Sequence, residues 1–162
     1  MTDAQKQFLD RASAAAQQAT HPFPRMAASE AALESGYGLS GLASEDCNLF
    51  GMKQHLHPEF ATVSLPTKEF EKGEWVEVTA DWVKYPDWAS CFFDRMNTLE
   101  RLSRVTIPGK TDLAYPHYAA ALRAQDAETY VREVSQSWST DPTRADKCIA
   151  IYREYLGTTG VA

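Results

Sequence analysis

One β-rich segment in an otherwise helical sequence constrains the fold most. Residues 62–85 read TVSLPTKEFEKGEWVEVTADWVKY, with a turn signal at Lys72 and Gly73, which predicts a β-hairpin. A lone hairpin cannot form a core by itself, so helices must supply the core. We therefore predict an α+β domain: a mostly helical lobe and a small β lobe over about residues 48–85, which begins with a short strand at 48–53. Alternation places four side chains on one hairpin face: Val76, Val78, Ala80 and Trp82.

Two helices are predicted before the hairpin. Thr2 and Gln5 match a capping box at the start of the first helix. Pro24 suits the first turn of the second helix, which is rich in Ala and Glu and is expected to run to about Ser35.

Helix signals return after the hairpin. Residues 118–124 are Ala-rich and predict a short helix. The last helix is expected to have Pro142 at its first position and to end at Gly157. N-caps are predicted at three helix starts: Asp87, Asp126 and Asp141.

The stretch LESGYGLSGLASEDCNLFGMK, residues 33–53, contains a G-x-G-x-x-G spacing that begins at Gly36. A dinucleotide-binding loop needs a strand before these glycines. Here a helix precedes them and presents its C-terminus, which has the wrong polarity for pyrophosphate. We therefore interpret the glycines as a left-handed helix cap at Gly36 or Gly38, followed by a tight turn.

Glu34 lies in the last predicted turn of the second helix, near the negative end of the helix dipole, which disfavours a charged carboxylate. A carboxylic acid that keeps its proton near neutral pH can act as a general acid. The alternative is a solvated helix residue, as we expect Glu30 to be one turn earlier. Four hairpin carboxylates are candidates for a second acidic role, and a charged solvent face explains most of them: Glu69, Glu71, Glu74 and Glu77.

Length and charge narrow the function classes. The chain has 162 residues, which suits one domain over residues 1–162. Its formal net charge of -6 disfavours a nucleic-acid surface. No apolar run is long enough for membrane insertion, and the polar start of the chain lacks the apolar core of a Sec signal. We expect a monomer.

The cysteines and histidines suggest no cofactor. Cys47, Cys91 and Cys148 are odd in number and far apart, which predicts buried apolar thiols rather than disulfides or a nucleophile. HLHPE at 55–59 places two histidines near an acid, but no further ligand is spaced for zinc, so a polar loop without a metal is expected.

Segments in series along the chain resemble bacterial glucosaminidases, the peptidoglycan hydrolases related to the flagellar-rod domain. AALESGYG and NLFGMK are similar to the family signature, and TKEFEKGEWVEV to its hairpin. YPDWASCFFDRMNTL, YAAAL and STDPTRADKCIAIY resemble its later helices, in the same order. The resemblance implies a lysozyme-like fold and hydrolysis of the β-1,4 bond between N-acetylglucosamine and N-acetylmuramic acid.

By motif, Glu34 matches the family's catalytic acid, and Glu69 or Glu71 matches the second acid. Glu69 is preferred because Glu71 adjoins the hairpin turn, where a carboxylate is less well fixed. Substrate assistance by the 2-acetamido group is a further mechanism that the sequence leaves open.

Aromatic rings suit sugar stacking, and one or two are expected to do so from a set that includes Trp75, Tyr85 and Trp88. Trp138 stands where the family usually has Tyr, which puts an active-site phenol in doubt, and Tyr37 stands where Trp is commoner. The substrate-binding candidates are Tyr37, Trp82, Tyr115 and Trp138.

Other activities fit the same resemblance. A lytic transglycosylase also uses a Glu before Ser, but its GLMQ continuation is absent; a muramidase and a non-catalytic wall-binding module are further alternatives. The expected partner is the peptidoglycan glycan strand, in the periplasm or outside the cell. Delivery is expected through holin-type release or a secretion system, and injection into a neighbouring bacterium implies a cognate immunity protein.

Overall fold

The fold consists of helices that come before and after a two-stranded hairpin in the sequence. The computed structural model describes residues 1–54, 57, 59–71 and 73–160. The elements in chain order are α1 (Asp3–Gln18), α2 (Pro24–Ser35), α3 (Gly41–Asp46), β1 (Ala61–Glu71), β2 (Glu74–Lys84), α4 (Trp88–Leu102), α5 (Pro116–Ala121), α6 (Ala127–Trp138) and α7 (Arg144–Thr159). No helix among the described residues is long and apolar enough to cross a membrane. The predicted α+β class is confirmed.

Local capping signals place most helix starts correctly. Thr2 and Gln5 form the predicted capping box of α1. The side chains of Asp87 and Asp126 accept hydrogen bonds from backbone N–H groups in the first turns of α4 and α6. Gly36 has a φ of 59° and forms the left-handed cap of α2.

Both predicted ends of the last helix are wrong. α7 begins at Arg144, not at Pro142, because the Asp141 carboxylate accepts hydrogen bonds from the backbone N–H and hydroxyl of Thr143 at 2.8 and 2.7 Å and holds a turn there. Gly157 lies inside the helix, which continues to Thr159. A glycine costs a helix about 1 kcal/mol. Tertiary packing of the apolar face of α7, where Tyr155 is buried, outweighs this cost.

The segment after Gly36 differs from the prediction in two places. The short helix α3 was missed; the Ser40 side chain caps it by accepting from the Ala43 N–H. The strand predicted at 48–53 is reduced to an isolated bridge between Lys53 and Trp82. A local turn replaces it because the buried Asn48 side chain accepts from the Met52 N–H at 2.9 Å and donates back to the Met52 carbonyl at 3.0 Å.

The hairpin is antiparallel and pairs Val63 with Trp82, Glu69 with Val76 and Glu71 with Glu74. The predicted face is confirmed, since Val76, Val78, Ala80 and Trp82 are half-buried and the residues between them are exposed. Gly73 in the turn has a φ of 89°, and Lys72 lies outside the described residues. The base of the hairpin is fixed to the helical lobe by the Asn48 side chain, which also donates to the Val83 carbonyl at 2.9 Å.

α2 is buried between two apolar clusters. Ala27, Ala28, Ala31 and Ala32 face a cluster with α1, α4 and the base of the hairpin. Met26 faces a second cluster with α4, α5, α6 and α7. Small side chains let neighbouring helices approach α2 closely on several sides. Every residue of α2 from Met26 to Ala32 is buried, so a polar side chain in this part of the helix has little access to water.

Candidate active site

The last turn of α2 carries Glu34 to the edge of the buried region. Its side chain is 26% exposed, whereas most of α2 is buried. The Glu34 Oε1 atom accepts a hydrogen bond from the Arg144 Nε–H at 2.7 Å. The predicted acid is therefore solvent-accessible and ion-paired, with α7 holding it in place.

The glycine turn explains how α2 ends beside this carboxylate. The Ser35 hydroxyl donates to the Ala31 carbonyl at 2.6 Å and accepts from the Gly38 N–H at 2.8 Å. A Cβ at position 38 would lie 2.8 Å from the Phe8 ring of α1, so Gly38 permits a close contact between the turn and α1. α2 ends at Ser35 with Gly36 as its cap, which leaves the Glu34 carboxylate in the last turn of the helix.

Glu30 is buried, so its prediction as a solvated residue is wrong. It is 1% exposed, and its Oε1 accepts from Nη2 of both Arg95 and Arg144 at 3.0 Å. Burial alone would raise the pKa of Glu30, but the two guanidinium groups outweigh it and hold that pKa below its ordinary value. Glu30 thus holds a buried ion-pair network together.

Arg144 links Glu30 to Glu34. Its Nη2 donates to Glu30, its Nε to Glu34, and its Nη1 to the Ser135 hydroxyl at 2.9 Å. Burial alone would lower the pKa of Arg144, but the nearby carboxylates raise it above its ordinary value. The guanidinium is therefore a fixed positive charge whose three nitrogens are all engaged.

Arg95 extends the network toward the aromatic residues. Its Nη1 donates to the Tyr130 hydroxyl at 3.4 Å, and its guanidinium lies 4.0 Å from the centre of the Trp138 ring. His21 Nε2 lies 3.3 Å from the same Tyr130 hydroxyl. Trp138 is thereby connected to Glu34 through Arg95, Glu30 and Arg144.

The sequence did not predict that Glu30, Arg95 and Arg144 form a buried ion-pair network. A weak signal existed for Arg95, which follows Phe92 by three residues and precedes Leu99 by four, and so falls on the apolar face of α4. A charged residue at such a position must find a buried partner, but the sequence does not say which one.

The predicted substrate-binding aromatics lie at separate places. Trp138 is half-buried and packs edge-on against Phe50 at 6.4 Å. Tyr37 is also half-buried, and its ring contacts Phe8 of α1 at 5.9 Å. Burial and the charge of Glu154 raise the pKa of Tyr37.

Tyr115 and Trp82 are the other two candidates. Tyr115 is 36% exposed and stacks on Tyr118 with ring centres 5.5 Å apart. Trp82 is half-buried at the base of the hairpin, with the Lys53 ammonium 5.7 Å from its ring centre. The described contacts do not bring these four aromatic rings together, and their role in sugar binding stays a prediction.

The other three aromatic residues considered for sugar stacking differ in burial and in the residues that they contact. Tyr85 is buried, and its hydroxyl donates to Asp94, so it belongs to the core. The Trp88 ring contacts Phe8 at 5.1 Å and lies 3.9 Å from the Arg11 guanidinium carbon. Trp75 is 70% exposed near the hairpin tip.

Glu69 and Glu71 lie on β1 at the register positions opposite Val76 and Glu74. Val76 belongs to the half-buried row of β2, whereas Glu74 is exposed beside the turn. The side chains of Glu69 and Glu71 lie outside the described part of the structure. Which of them works with Glu34 stays a prediction.

The cysteines are free, and Cys91 and Cys148 are buried as predicted. Burial raises the pKa of each of these two thiols to about 12, so both stay protonated and are poor nucleophiles. Cys47 is half-buried, and burial raises its pKa as well.

Within the predicted polar loop at 55–59, His57 is fully buried, with its Nδ1 2.9 Å from Asp94 Oδ1. Together with the exposed Glu59, these residues bring potential ligand atoms within 4.8 Å of one another. Since Asp94 also accepts from Tyr85, the described contacts join the β lobe to α4. His55 lies outside the described residues.

Comparison with known proteins decides the family. The Glucosaminidase family, described as mannosyl-glycoprotein endo-β-N-acetylglucosaminidase, matches residues 10–157. The chain belongs to this family. The exo-glucosaminidase LytG of Bacillus subtilis (strain 168) is 33% identical over 157 residues, which cover 94% of this chain and 52% of LytG. The chain thus spans about half the length of this relative.

Solved structures support the same assignment. The catalytic domain of the autolysin Auto from Listeria monocytogenes superposes with a TM-score of 0.77 at 25% identity, covering 98% of this chain and 88% of that one. A truncated glycoside hydrolase domain of Salmonella typhimurium FlgJ gives a TM-score of 0.70 at 26% identity, covering 95% and 98%. The glucosaminidase is a glycoside hydrolase with a lysozyme-like fold.

Proposed function

We propose that this glucosaminidase cleaves the β-1,4 bond between N-acetylglucosamine and N-acetylmuramic acid in peptidoglycan, with Glu34 as general acid. The observation that carries the proposal is the Glu34 carboxylate, accessible at a helix end and held by Arg144 at 2.7 Å. Of the carboxylates on α2, Glu30 is enclosed by arginines and cannot reach a sugar. This leaves Glu34 as the acid available on this helix.

In the proposed reaction, Glu34 donates its proton to the glycosidic oxygen as the bond to the anomeric carbon breaks. A second carboxylate activates the attacking water or stabilises the positive charge on the sugar. We assign this role to Glu69 and keep Glu71 as the alternative. If the 2-acetamido group attacks instead, the hairpin acid positions that group.

Glu34→Gln tests the acid. The change keeps the side-chain volume and removes the proton donor, so turnover should fall about 10²- to 10⁴-fold while the circular dichroism spectrum is unchanged. Glu100→Gln, an exposed change on α4, is the matched control and should release sugar at the wild-type rate. Wild-type turnover by Glu34→Gln would remove Glu34 from the mechanism.

Glu69→Gln and Glu71→Gln, assayed side by side on intact peptidoglycan, test the second acid. We expect Glu69→Gln to be the inactive variant, because a position further from the turn fixes a catalytic carboxylate better. The reverse pattern would assign the role to Glu71 and refute the reasoning from the turn.

Product chemistry tests the bond. Mass spectrometry of digested peptidoglycan should find new reducing ends on N-acetylglucosamine. Reducing ends on N-acetylmuramic acid would indicate a muramidase, and 1,6-anhydro-muramic ends a lytic transglycosylase. Because the family description names mannosyl-glycoproteins, a mannose-rich glycoprotein should be assayed in parallel, and we expect no cleavage of it.

The position of attack along the glycan is a separate question. The family description names an endo-acting enzyme, whereas the relative LytG is named an exo-glucosaminidase. We propose endo cleavage, which should shorten long glycan strands before single sugars accumulate. Early release of single sugars from otherwise intact strands would show exo attack.

We also propose that the enzyme reaches the wall by holin-type release or by injection into a neighbouring cell. The net charge of -6 favours injection, since lytic enzymes that act alone often use basic surfaces to approach anionic walls. Injection predicts a neighbouring gene for a small secreted protein that binds and inhibits the enzyme. If that protein fails to bind the purified enzyme, the injection hypothesis loses its support.

A further inference from the structure

We propose that Arg144 is a positioning residue for catalysis: it fixes the Glu34 carboxylate and stabilises the negative charge that Glu34 gains when it gives up its proton. This inference depends on the proposed role of Glu34 as general acid. It adds a second residue, on another helix, whose removal should change how the reaction depends on pH.

Arg144 is well placed to fix Glu34 because its own position is fixed. It is 2% exposed, and the bonds of Nη1 to Ser135 and Nη2 to Glu30 prevent rotation of its planar guanidinium group. The remaining donor, Nε, points to Glu34 at 2.7 Å. A half-exposed glutamate at a helix end would otherwise sample several rotamers, and a small misplacement of a catalytic group costs a large factor in rate.

Charge balance explains why Glu34 stays beside Arg144. Arg95 and Arg144 both bind the single carboxylate of Glu30, so the buried cluster has two positive charges and one negative charge. In its carboxylate form, Glu34 supplies the missing negative charge from the edge of the cluster. Little water reaches Glu30, Arg95 and Arg144, so charges beside them are screened less than charges at the open surface.

The same charge favours the transition state. Glu34 begins the step as a neutral acid and ends it as a carboxylate, while its proton passes to the leaving oxygen. A fixed guanidinium interacts more strongly with the carboxylate than with the acid, so it lowers the barrier to proton donation.

Removing the positive charge of Arg144 should therefore lower kcat and, at the same time, extend activity to higher pH. In Arg144→Met, kcat at the optimum should fall about 10-fold or more with KM within about 2-fold, because Glu34 is less fixed and its conjugate base less stabilised. The alkaline limb of the pH profile should move to higher pH, because the positive charge that lies 2.7 Å from the carboxylate oxygen has been removed. A purely structural role would change the melting temperature and leave this limb in place.

Two further variants separate position from charge. Arg144→Lys keeps the positive charge but loses the planar donor set, so kcat should fall while the alkaline limb stays near that of the wild type. Ser135→Ala keeps Arg144 and loosens it, with the same expected pattern and a smaller loss. Arg153→Met is the matched control: it removes an exposed arginine from the same helix, where it pairs with Glu128, and should leave both readouts unchanged.

The experiment measures kcat, KM and the pH profile on soluble peptidoglycan fragments, with melting temperatures for every variant. A folded Arg144→Met enzyme with a wild-type kcat and alkaline limb would overturn the inference. If Arg144→Met does not fold, wild-type kcat values in both Arg144→Lys and Ser135→Ala would overturn it equally. An active Glu34→Gln variant would instead refute the proposed acid, which is a different failure.

Discussion

Glu30→Gln and Glu34→Gln are the same isosteric change one turn apart on α2, and the structure predicts opposite results for them. Glu30 is 1% exposed and bound by two arginines. Its neutralisation leaves Arg95 buried without the carboxylate that it binds and leaves Arg144 with Glu34 alone. The new amide can accept from both guanidinium groups but also turns an N–H group toward them. The Glu34 side chain is 26% exposed and accepts one hydrogen bond from Arg144. The side-chain carbonyl of a Gln at this position can still accept that hydrogen bond.

The magnitudes follow from burial. Removing one partner of a buried ion pair lowers the free energy of unfolding by about 3–5 kcal/mol, and we expect the loss in Glu30→Gln to fall in this range. With roughly 2.1 cal/mol/K of unfolding entropy per residue over the chain, the loss corresponds to a fall of about 10 °C in Tm. Glu34→Gln should cost about 1 kcal/mol or less, as for a partly exposed pair, and lower Tm by about 3 °C at most.

Differential scanning calorimetry and a sugar-release assay on the same preparations measure both effects. Below its own unfolding transition, Glu30→Gln should retain measurable turnover, while Glu34→Gln should have almost none. The result that refutes the reasoning is a Glu30→Gln protein as stable as the wild type. It would mean that the two arginines find water or another anion, and that the buried network is weaker than its geometry indicates.

Three further predictions concern the surroundings of this network. Burial lowers the pKa of His21 from 6.5 to about 4, so the unfolded chain takes up the proton at a higher pH than the folded protein does. The free energy of unfolding should therefore be at its full value above pH 6.5 and fall by about 3 kcal/mol toward pH 4. Urea titrations measure this fall, which should be smaller in His21→Gln. Asn48→Ala removes three hydrogen bonds at the base of the hairpin and should cost about 3 kcal/mol in the same titrations, with a loss below about 1 kcal/mol contradicting the anchoring role. Trp138→Phe should keep ring stacking and most turnover, whereas a large loss of activity at unchanged Tm would show that the indole N–H is needed.

Local signals within a few residues determined much of this protein. The capping box at Thr2 and Gln5 and the caps at Asp87 and Asp126 predicted their helices because each cap contacts the adjacent backbone. The alternating pattern predicted the hairpin because successive side chains of a strand point to opposite faces. The position of Glu34 at the end of α2 was predictable for the same reason, since the glycine that ends the helix follows it closely.

Only the tertiary structure decided what surrounds Glu34. Arg95 and Arg144 lie 65 and 114 residues from Glu30 in the sequence, and no local rule connects them. In the sequence, Glu30 and Glu34 are alike: both are glutamates on one Ala-rich helix, one turn apart. They differ because α2 is enclosed by other helices along most of its length and emerges at its last turn, so burial makes one carboxylate a structural ion and leaves the other accessible to substrate.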